Sequence, residues 1–168
     1  MHKEKEKRES ISNVLVTGAA GLIGSTVTRI LIERGSHVVA CDNFSIGSWK
    51  GEAASIIWEN VDVSGEAVID ILDKHKPDAV IHCAAHPGGR SLIEPAEDVR
   101  VNALGSMRIF EWCCRAKVPV VYLSSSVIYG EQPSLPISEC ATPLPGTVYG
   151  VCKVACENFL KILGEGYG

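Results

Sequence analysis

The sequence predicts an α/β fold built on a doubly wound parallel sheet. Five uninterrupted apolar runs, each long enough for a strand, alternate with segments that have the apolar spacing of helices. The first run leads at once into a glycine-rich turn and then into a helical segment. Strands that are apolar along their whole length are typical of parallel sheets, which helices cover on both faces.

The predicted elements alternate along residues 13–168, as in a Rossmann-like domain. The predicted strands are residues 14–16, 38–41, 55–58, 79–83 and 118–123. The predicted helices are a first one that stops at Gly35, then residues 67–75, 98–116 and 148–163, the last ended by Gly164. The apolar residues expected to face the sheet from the first two helices are Ile23, Val27, Ile30 and Leu31, then Val68, Ile71 and Leu72.

The last two predicted helices have apolar residues on more than one side. Each helix has one regular apolar stripe and further apolar residues outside it. The residues outside the stripe are Leu104, Ile109 and Trp112 in the first helix and Cys156, Leu160 and Leu163 in the second. A helix that is apolar on two sides is buried on two sides, which suggests a partner subunit.

Three glycines follow the first strand at a spacing of three, Gly18, Gly21 and Gly24. Glycine has no Cβ to hold a pyrophosphate away from the turn and from the first amides of the helix, so this turn predicts a dinucleotide site. The G-x-x-G-x-x-G spacing differs from the usual G-x-G-x-x-G. A glycine turn that binds nothing is the alternative.

The second predicted strand ends in Asp42, 24 positions after Gly18. A carboxylate near this offset accepts hydrogen bonds from the ribose of an adenosine and repels a 2′-phosphate. The predicted cofactor is therefore NAD, and not NADP. The alternative is a plain turn residue in Asp42-Asn43.

Composition limits the classes of function. The chain has 16 Lys and Arg against 20 Asp and Glu, which gives no reason to expect nucleic acid or an anionic membrane as a partner. The apolar runs are far shorter than the roughly 20 residues of a membrane span, and we expect a cytoplasmic protein. The seven cysteines lack a C-x-x-C pair, so thiols are expected and no metal site. Residues 1–12, which alternate in charge, are predicted to be a disordered tail.

Three polar residues are expected to meet at the carboxyl ends of the strands. Ser125 follows the fifth strand, and Tyr149 and Lys153 share one face of the last helix. Free tyrosine, with a pKa of about 10, is a poor base at neutral pH, but a nearby ammonium favours the phenolate and is expected to lower the pKa of Tyr149. Because Y-x-x-x-K is common in helices, a purely structural pair is the alternative.

Seven motifs occur together in order over residues 13–163. They are Thr17-Gly18-x-x-Gly21-x-x-Gly24, Asp42-Asn43-Phe44, Asp62-Val63, His82-x-Ala84-Ala85, Asn102, Ser124-Ser125-Ser126-x-x-Tyr129-Gly130 and Tyr149-x-x-x-Lys153. This set resembles the extended short-chain dehydrogenase/reductases. Within them the chain looks most like the NAD-dependent nucleotide-sugar epimerases and dehydratases, of the UDP-glucose or UDP-glucuronate 4-epimerase type.

The resemblance implies NAD as cofactor and Ser125, Tyr149 and Lys153 as the catalytic residues. The residues that it assigns to cofactor binding are Gly18, Ala20, Gly21, Leu22, Ile23, Gly24, Asp42, Asn43, Phe44, Ser45, Gly47, Asp62, Val63, Cys83, Ala84, Ala85, His86, Asn102, Ser124, Tyr149 and Lys153. For Asp62, capping of the next helix is the alternative.

The implied reaction acts on a nucleoside-diphosphate sugar. Tyr149 would take the proton of the sugar C4 hydroxyl as hydride passes to NAD, Lys153 would bind the nicotinamide ribose and Ser125 would hold the oxygen of a 4-keto intermediate. The substrate-binding residues are expected to be His86, Gly88, Arg90, Ser125 and Ser126. The run that contains Arg90 resembles one in uronic-acid 4-epimerases, where Arg90 could meet a carboxylate; a surface arginine is the alternative.

Two departures from the family bear on activity. Related dehydratases and decarboxylases usually have a carboxylate just after the catalytic serine, where this chain has Ser126 and Val127, which favours epimerisation. Family members are longer, so the chain is expected to lack the last strands and the substrate lobe, as a fragment or a short form. The alternatives are a dehydratase, decarboxylase or reductase of the same family and a non-catalytic NAD-binding module. The resemblance also implies a homodimer through helices 98–116 and 149–163.

Overall fold

A single sheet of five parallel strands organises the structure, a computed structural model that describes residues 12–167. The strands are β1 (Asn13–Thr17), β2 (His37–Asp42), β3 (Ile56–Asn60), β4 (Ala79–His82) and β5 (Val120–Tyr122). Their order is β3-β2-β1-β4-β5, and every neighbouring pair is parallel. The predicted sheet is confirmed, and each predicted strand is present with its ends shifted by up to two residues.

The strand order creates a switch point in the middle of the sheet. The chain winds outward from β1 to β3 and then returns to place β4 on the other side of β1. The two connections leave the sheet in opposite directions there, so a crevice opens at the carboxyl ends of β1 and β4. This is the edge at which the glycine turn follows Thr17.

The helices are α1 (Leu22–Glu33), α2 (Ala67–His75), α3 (Pro95–Glu97), α4 (Ser106–Ala116) and α5 (Val148–Tyr167). A π-helix, Asp98–Gly105, joins α3 to α4, so the helix predicted over 98–116 has a wide first half. The predicted end at Gly164 is wrong, because α5 continues to Tyr167. A glycine with negative φ weakens a helix by about 1 kcal/mol and does not stop it. By contrast Gly35, with φ 85°, follows α1 as predicted.

Helices cover the two faces of the sheet unequally. On one face α2, α4 and α5 pack on Leu15, Val39 and Val80. On the other face α1 packs on Val14, Val16, Val38 and Ala40. On that second face Val121 of β5 is 56% exposed, because no described helix lies over this strand.

Some predicted inward faces are correct and others are wrong. Val68 and Leu72 of α2 are fully buried, as expected. Val27 and Leu31 of α1 pack against the sheet as expected. Ile23 and Ile30 are instead 54% and 42% exposed, because the buried side of α1 also includes the small residues Gly24, Ser25 and Thr28.

The last two predicted helices bury most of their second apolar side within this chain, which weakens the expectation of a partner subunit. Ile109 and Trp112 of α4 and Cys156 of α5 are buried inside this chain, and Leu160 and Leu163 pack against the same core. The large apolar residues of these helical segments that are exposed are Val99, Leu104, Val151 and Ile162, at 53%, 46%, 53% and 66%.

Two predictions concern the limits of the domain. Of the predicted tail, residues 1–11 lie outside the described residues, while the N–H and hydroxyl of Ser12 both donate to Asp78 Oδ2 at 3.0 Å. Among the helices of residues 12–167, none has the length and apolar character that crossing a membrane requires.

The core predicts the effect of one truncation. Leu72 of α2 is fully buried between the helix layer and the sheet, so Leu72→Ala is expected to lower the free energy of unfolding by about 2–5 kcal/mol. The matched control is Leu92→Ala, whose side chain is 85% exposed and whose effect is expected to stay within about 0.5 kcal/mol. Urea denaturation followed by circular dichroism measures both; equal effects would contradict the placement of α2.

Candidate cofactor and active site

A cleft of about 380 Å³ opens at the carboxyl ends of the central strands. Many of the residues predicted to bind a cofactor line it. They are Gly18, Gly21, Asp42, Asn43, Ser45, Gly47, Asp62, Val63, Cys83, Ala84, Ala85 and His86. The structure therefore brings residues from the ends of β1, β2, β3 and β4 into one cavity.

The glycine turn forms a cradle that side chains would fill. Gly18 has φ 64°, and a Cβ on it would lie 2.6 Å from the backbone nitrogen of Ala84. A Cβ on Gly24 would overlap the carbonyl oxygen of Gly18, and one on Gly47 would overlap the backbone of Ala20. The first amides of α1 follow this turn, so the cradle fits the pyrophosphate of a dinucleotide.

Asp42 holds the glycine turn against the end of β2. Its Oδ2 accepts the N–H of Ala20 at 2.9 Å, and its Oδ1 accepts the N–H of Phe44 at 2.8 Å. The residue thus makes the local turn of the plain alternative and also lies on the cleft wall. Each carboxylate oxygen retains a second lone pair, which suits a ribose hydroxyl.

Asp62 forms a turn of its own and an ion pair across the cleft. Its Oδ1 accepts the N–H and the hydroxyl of Ser64, and its Oδ2 lies 3.0 Å from Arg100 Nη1. The alternative role of helix cap does not hold, because α2 begins after Glu66 and no side chain of the described chain caps it. Although burial works against it, the bonds from Ser64 and Arg100 hold the pKa of Asp62 below its ordinary value.

Ser125, Tyr149 and Lys153 converge beyond the carboxyl end of β5. Lys153 is 4% exposed, and its Nζ donates to the carbonyl of Leu123 at 2.7 Å. The same Nζ lies 5.5 Å from the ring centroid of Tyr149 and 4.6 Å from that of Tyr122. Ser125 begins a short 3₁₀ turn, Ser126–Tyr129, and its hydroxyl lies close enough to Tyr149 to affect the ionisation of the phenol.

The pKa of Tyr149 is shifted in the opposite direction from the one predicted from the sequence. Burial raises the pKa of Tyr149 above its ordinary value of 10; the Ser125 hydroxyl opposes this shift, and the charge of Asp98 adds to it. Burial also lowers the pKa of Lys153. The expected lowering of the pKa of Tyr149 is therefore wrong for this arrangement, because the lysine ammonium is directed at the Leu123 carbonyl and is itself desolvated.

His86 lines the cleft and lies between two carboxylates. Its Nδ1 is 3.0 Å from Asp98 Oδ1, and its Nε2 is 3.0 Å from Glu94 Oε2. Burial opposes a charge on the ring, but the two carboxylates outweigh it and raise the pKa of His86. Glu94 also pairs with Arg90 at 3.2 Å, so the arginine expected to meet a substrate carboxylate already has a carboxylate of the protein as partner.

Several predicted residues do not line the cleft. Asn102 is buried, and its amide bonds the backbone N–H and carbonyl of His86 and the carboxylate of Asp98, so it supports the wall from behind. The others outside the lining are Ala20, Leu22, Ile23, Gly24, Phe44, Gly88, Ser124, Ser125, Ser126, Tyr149 and Lys153.

The sequence patterns did not predict four charged residues of this region, which are Glu94, Glu97, Asp98 and Arg100. Of these, Glu94, Glu97 and Arg100 line the cleft, and Asp98 bonds His86 behind it. The spacing of Asp98 four residues before Asn102 was the available signal, since residues four apart share a helix face.

A hydrogen-bonded chain ties β1 and β4 to the π-helix. Ser106 donates to the carbonyl of Asn102 at 2.6 Å, so it accepts from Nε2–H of His82 at 2.9 Å. His82 Nδ1 then accepts the hydroxyl of Thr17 at 2.6 Å, and Thr17 Oγ1 accepts the N–H of Ala84 at 3.1 Å. Burial, with a smaller effect of Lys153, lowers the pKa of His82 to about 3, so the ring is neutral and holds this one tautomer.

The cleft at the switch point and its glycine cradle define a dinucleotide-binding α/β protein. The chain belongs to the NAD dependent epimerase/dehydratase family, because the sequence model of that family matches residues 14–168. The predicted family, its enzymatic class and NAD as its cofactor are thereby confirmed.

The relatives agree with this assignment. The UDP-glucose 4-epimerase of Azospirillum brasilense is 33% identical over 158 residues, which are 92% of this chain and 45% of that protein. The structure of UDP-glucose 4-epimerase from Thermotoga maritima with UDP-glucose has a TM-score of 0.87 at 33% identity, covering 93% of this chain and 52% of that one. The Thermus thermophilus UDP-glucose 4-epimerase with NAD has a TM-score of 0.85 at 33% identity and the same coverage. This chain spans about half the length of the relatives it matches.

The glycine cradle generates a test with a matched pair of variants. Because a Cβ on Gly24 would overlap the Gly18 carbonyl, Gly24→Ala is expected to displace the turn and to weaken NAD binding by about tenfold or more. The control, Gly164→Ala, places its Cβ in open space within α5 and is expected to keep NAD affinity and to stabilise the chain by up to about 1 kcal/mol. Calorimetric titration with NAD and thermal unfolding measure both; unchanged affinity in Gly24→Ala would exclude the turn as the pyrophosphate site.

Proposed function

We propose that this chain carries the NAD-binding and proton-transferring residues of a nucleotide-sugar 4-epimerase. The single observation that carries the proposal is the convergence of Ser125, Tyr149 and Lys153 beside a dinucleotide cleft. The three residues come from two distant parts of the sequence, and a structural role alone does not require this combination. The names of the similar proteins support a sugar linked to a nucleoside diphosphate as substrate.

The residues of the cleft would hold NAD in one orientation. The glycine turn and the first amides of α1 would bind the pyrophosphate, and Asp42 would accept from the adenosine ribose. Asp62 and Val63 would lie at the adenine, with Ala84 and Ala85 under the remainder. When bound, NAD supplies a hydride acceptor that can return the hydride to the substrate.

Tyr149 would exchange the proton of the sugar C4 hydroxyl. Burial favours the protonated phenol of Tyr149. To favour the phenolate, a positive charge has to lie closer to the phenol oxygen than in this arrangement. Lys153, whose Nζ is 5.5 Å from the ring centroid, is the nearest cation on the same helix face. Ser125 would donate to the same sugar oxygen and hold the 4-keto sugar while it turns over.

Epimerisation is proposed over the sister reactions because of the residues after Ser125. A dehydration or decarboxylation needs a second proton carrier, and Ser126 and Val127 are not carboxylates. His86, Gly88, Arg90, Ser125 and Ser126 are proposed for the sugar side of the site. The pairing of Arg90 with Glu94 gives no specific support to a uronic acid as the sugar.

One observation favours a second candidate. The chain spans about half the length of its relatives, and Ser125, Tyr149 and Lys153 do not line the cleft. A non-catalytic NAD-binding module fits that length. A homodimer through helices 98–116 and 149–163 and a cytoplasmic location remain proposals; exposed Leu104, Val151 and Ile162 support the first, and seven free thiols support the second.

The phenol of Tyr149 separates the two candidates. In a catalyst, Tyr149→Phe is expected to lower turnover by about 10²–10⁴-fold with NAD affinity unchanged, because only the proton carrier is lost. Tyr129→Phe is the control, since its hydroxyl donates only to the carbonyl of Glu139 in an exposed loop. Turnover is measured as formation of the C4 epimer by chromatography; equal activity of the two variants would remove Tyr149 from the reaction.

The substrate class is tested with the purified chain. After NAD binding has been measured, the chain is incubated separately with UDP-glucose, UDP-glucuronate and UDP-N-acetylglucosamine. We expect interconversion of one C4 epimer pair. If NAD binds and no nucleotide sugar is turned over, the cofactor part of the proposal stands, and the activity has to be sought in a longer gene product.

A further inference from the structure

His86 is held in a geometry that only its charged form satisfies. Both ring nitrogens lie 3.0 Å from a carboxylate oxygen, Nδ1 from Asp98 and Nε2 from Glu94. A carboxylate only accepts hydrogen bonds, so each nitrogen has to carry a proton. A neutral ring would leave one nitrogen lone pair facing a carboxylate oxygen.

Asp98 needs this charge because it is otherwise poorly compensated. The residue is fully buried in the π-helix, and its Oδ1 accepts from His86 and from Asn102 Nδ2 at 2.8 Å. Within residues 12–167 its buried Oδ2 has no hydrogen-bond partner. A buried carboxylate without a counter-charge is costly, and the imidazolium of His86 is the cation that contacts it.

The cluster of His86, Asp98 and Glu94 is linked to Tyr149 in two ways, through a packed loop and through charge. The loop from Pro87 to Glu94 packs on it: the N–H of Tyr149 donates to Ser91 Oγ at 3.0 Å, and a Cβ on Gly88 would lie 3.1 Å from Cδ1 of its ring. Glu94, at the end of this loop, is bound by His86. The negative charge of Asp98 also acts on the phenol and raises its pKa.

We propose that the His86 imidazolium, clamped between Asp98 and Glu94, is a positioning residue that holds the loop from Pro87 to Glu94 against Tyr149 and neutralises Asp98 beside the phenol. The proposal rests on the proposed function only in giving Tyr149 a catalytic role. The clamp itself is a property of the folded chain.

The surrounding charges determine how the clamp responds to pH. Glu94 and Arg90 face His86 from its own loop, Glu97 from α3 and Asp98 from the π-helix. On α5, Tyr149 and Cys152 experience the charge of Asp98, and Lys153 is the cation next to the phenol.

The direction of the pH effect follows from the raised pKa of His86. Its contribution to stability is complete below the ordinary value of 6.5 and is lost as pH rises through the higher value of the folded chain. Above that pH the ring loses one donor, either Asp98 or Glu94 loses its hydrogen bond from His86, and the proton affinity of Tyr149 increases.

The experiment follows two ionisations in the free chain by NMR. Histidine ring signals give the titration of His86, and ¹³Cζ-labelled tyrosine gives that of Tyr149, assigned with Tyr149→Phe among the four tyrosines. In the unaltered chain His86 is expected to titrate above pH 6.5. Titration of His86 below that value would overturn the proposal.

Substitution of the imidazole tests the link to the phenol. His86→Gln keeps a neutral hydrogen-bonding side chain but leaves Asp98 without a counter-charge, so the proton affinity of Tyr149 is expected to rise by about tenfold. The loss of stability with rising pH that His86 contributes is expected to disappear from urea unfolding. The matched control is His75→Gln, because His75 binds Glu59 of β3, at the other edge of the sheet from β5, and is expected to leave Tyr149 unchanged.

A second variant covers the case in which His86→Gln does not fold. Glu94→Gln removes one carboxylate whose side chain is 38% exposed and leaves Asp98 in place, so His86 is expected to titrate at lower pH than in the unaltered chain. If neither the titration of His86 in Glu94→Gln nor that of Tyr149 in His86→Gln moves, the clamp is excluded. These readouts need no turnover, so failure of the clamp and failure of the epimerase proposal are separate results.

Discussion

The close approach of β1 to β4 at the switch point is the constraint on which the cofactor cleft depends. Gly18 passes so near to Ala84 that no side chain fits between them, and Thr17 Oγ1 bonds both the Ala84 N–H and His82. His82 continues this contact to Ser106, where the π-helix meets α4. A neutral buried imidazole serves this purpose because it is a donor on one side and an acceptor on the other, with no charge to desolvate.

Two histidines of the same region illustrate opposite electrostatic solutions. His82 is bonded to the hydroxyls of Thr17 and Ser106, so burial keeps it neutral. His86, four residues later, lies between two carboxylates, which outweigh burial and favour the imidazolium. The first contributes a fixed direction to a hydrogen-bonded chain, and the second contributes a counter-charge next to a buried carboxylate and a phenol.

The π-helix is what allows these two roles to coexist. It directs Asn102 at the backbone of His86 and places Asp98 against the ring of the same residue. Asn102 thereby substitutes for strand pairing after β4 has ended, and its position behind the cleft wall explains why it does not line the cavity. A π-helix is rare and costly in backbone geometry, and its position beside the proposed active site fits the general association of π-helices with functional sites.

Local patterns in the sequence determined the five strands, the order of the helices, the glycine cradle and Asp42 at the end of β2. Each depends on residues close together in the chain, such as a glycine run after an apolar strand or a periodic apolar face. The pairing of Tyr149 with Lys153 on one helix face was also predictable, because it follows from a spacing of four.

Only the tertiary structure decided the electrostatic state of the site. The pKa of Tyr149 and the contacts of His86 with Asp98 and Glu94 depend on burial and on distances between side chains, which no spacing in the sequence encodes. The faces of α1, α4 and α5 that are buried were likewise decided by packing, since small residues in α1 and the core contacts of Ile109 and Trp112 determine which apolar side chains meet the sheet.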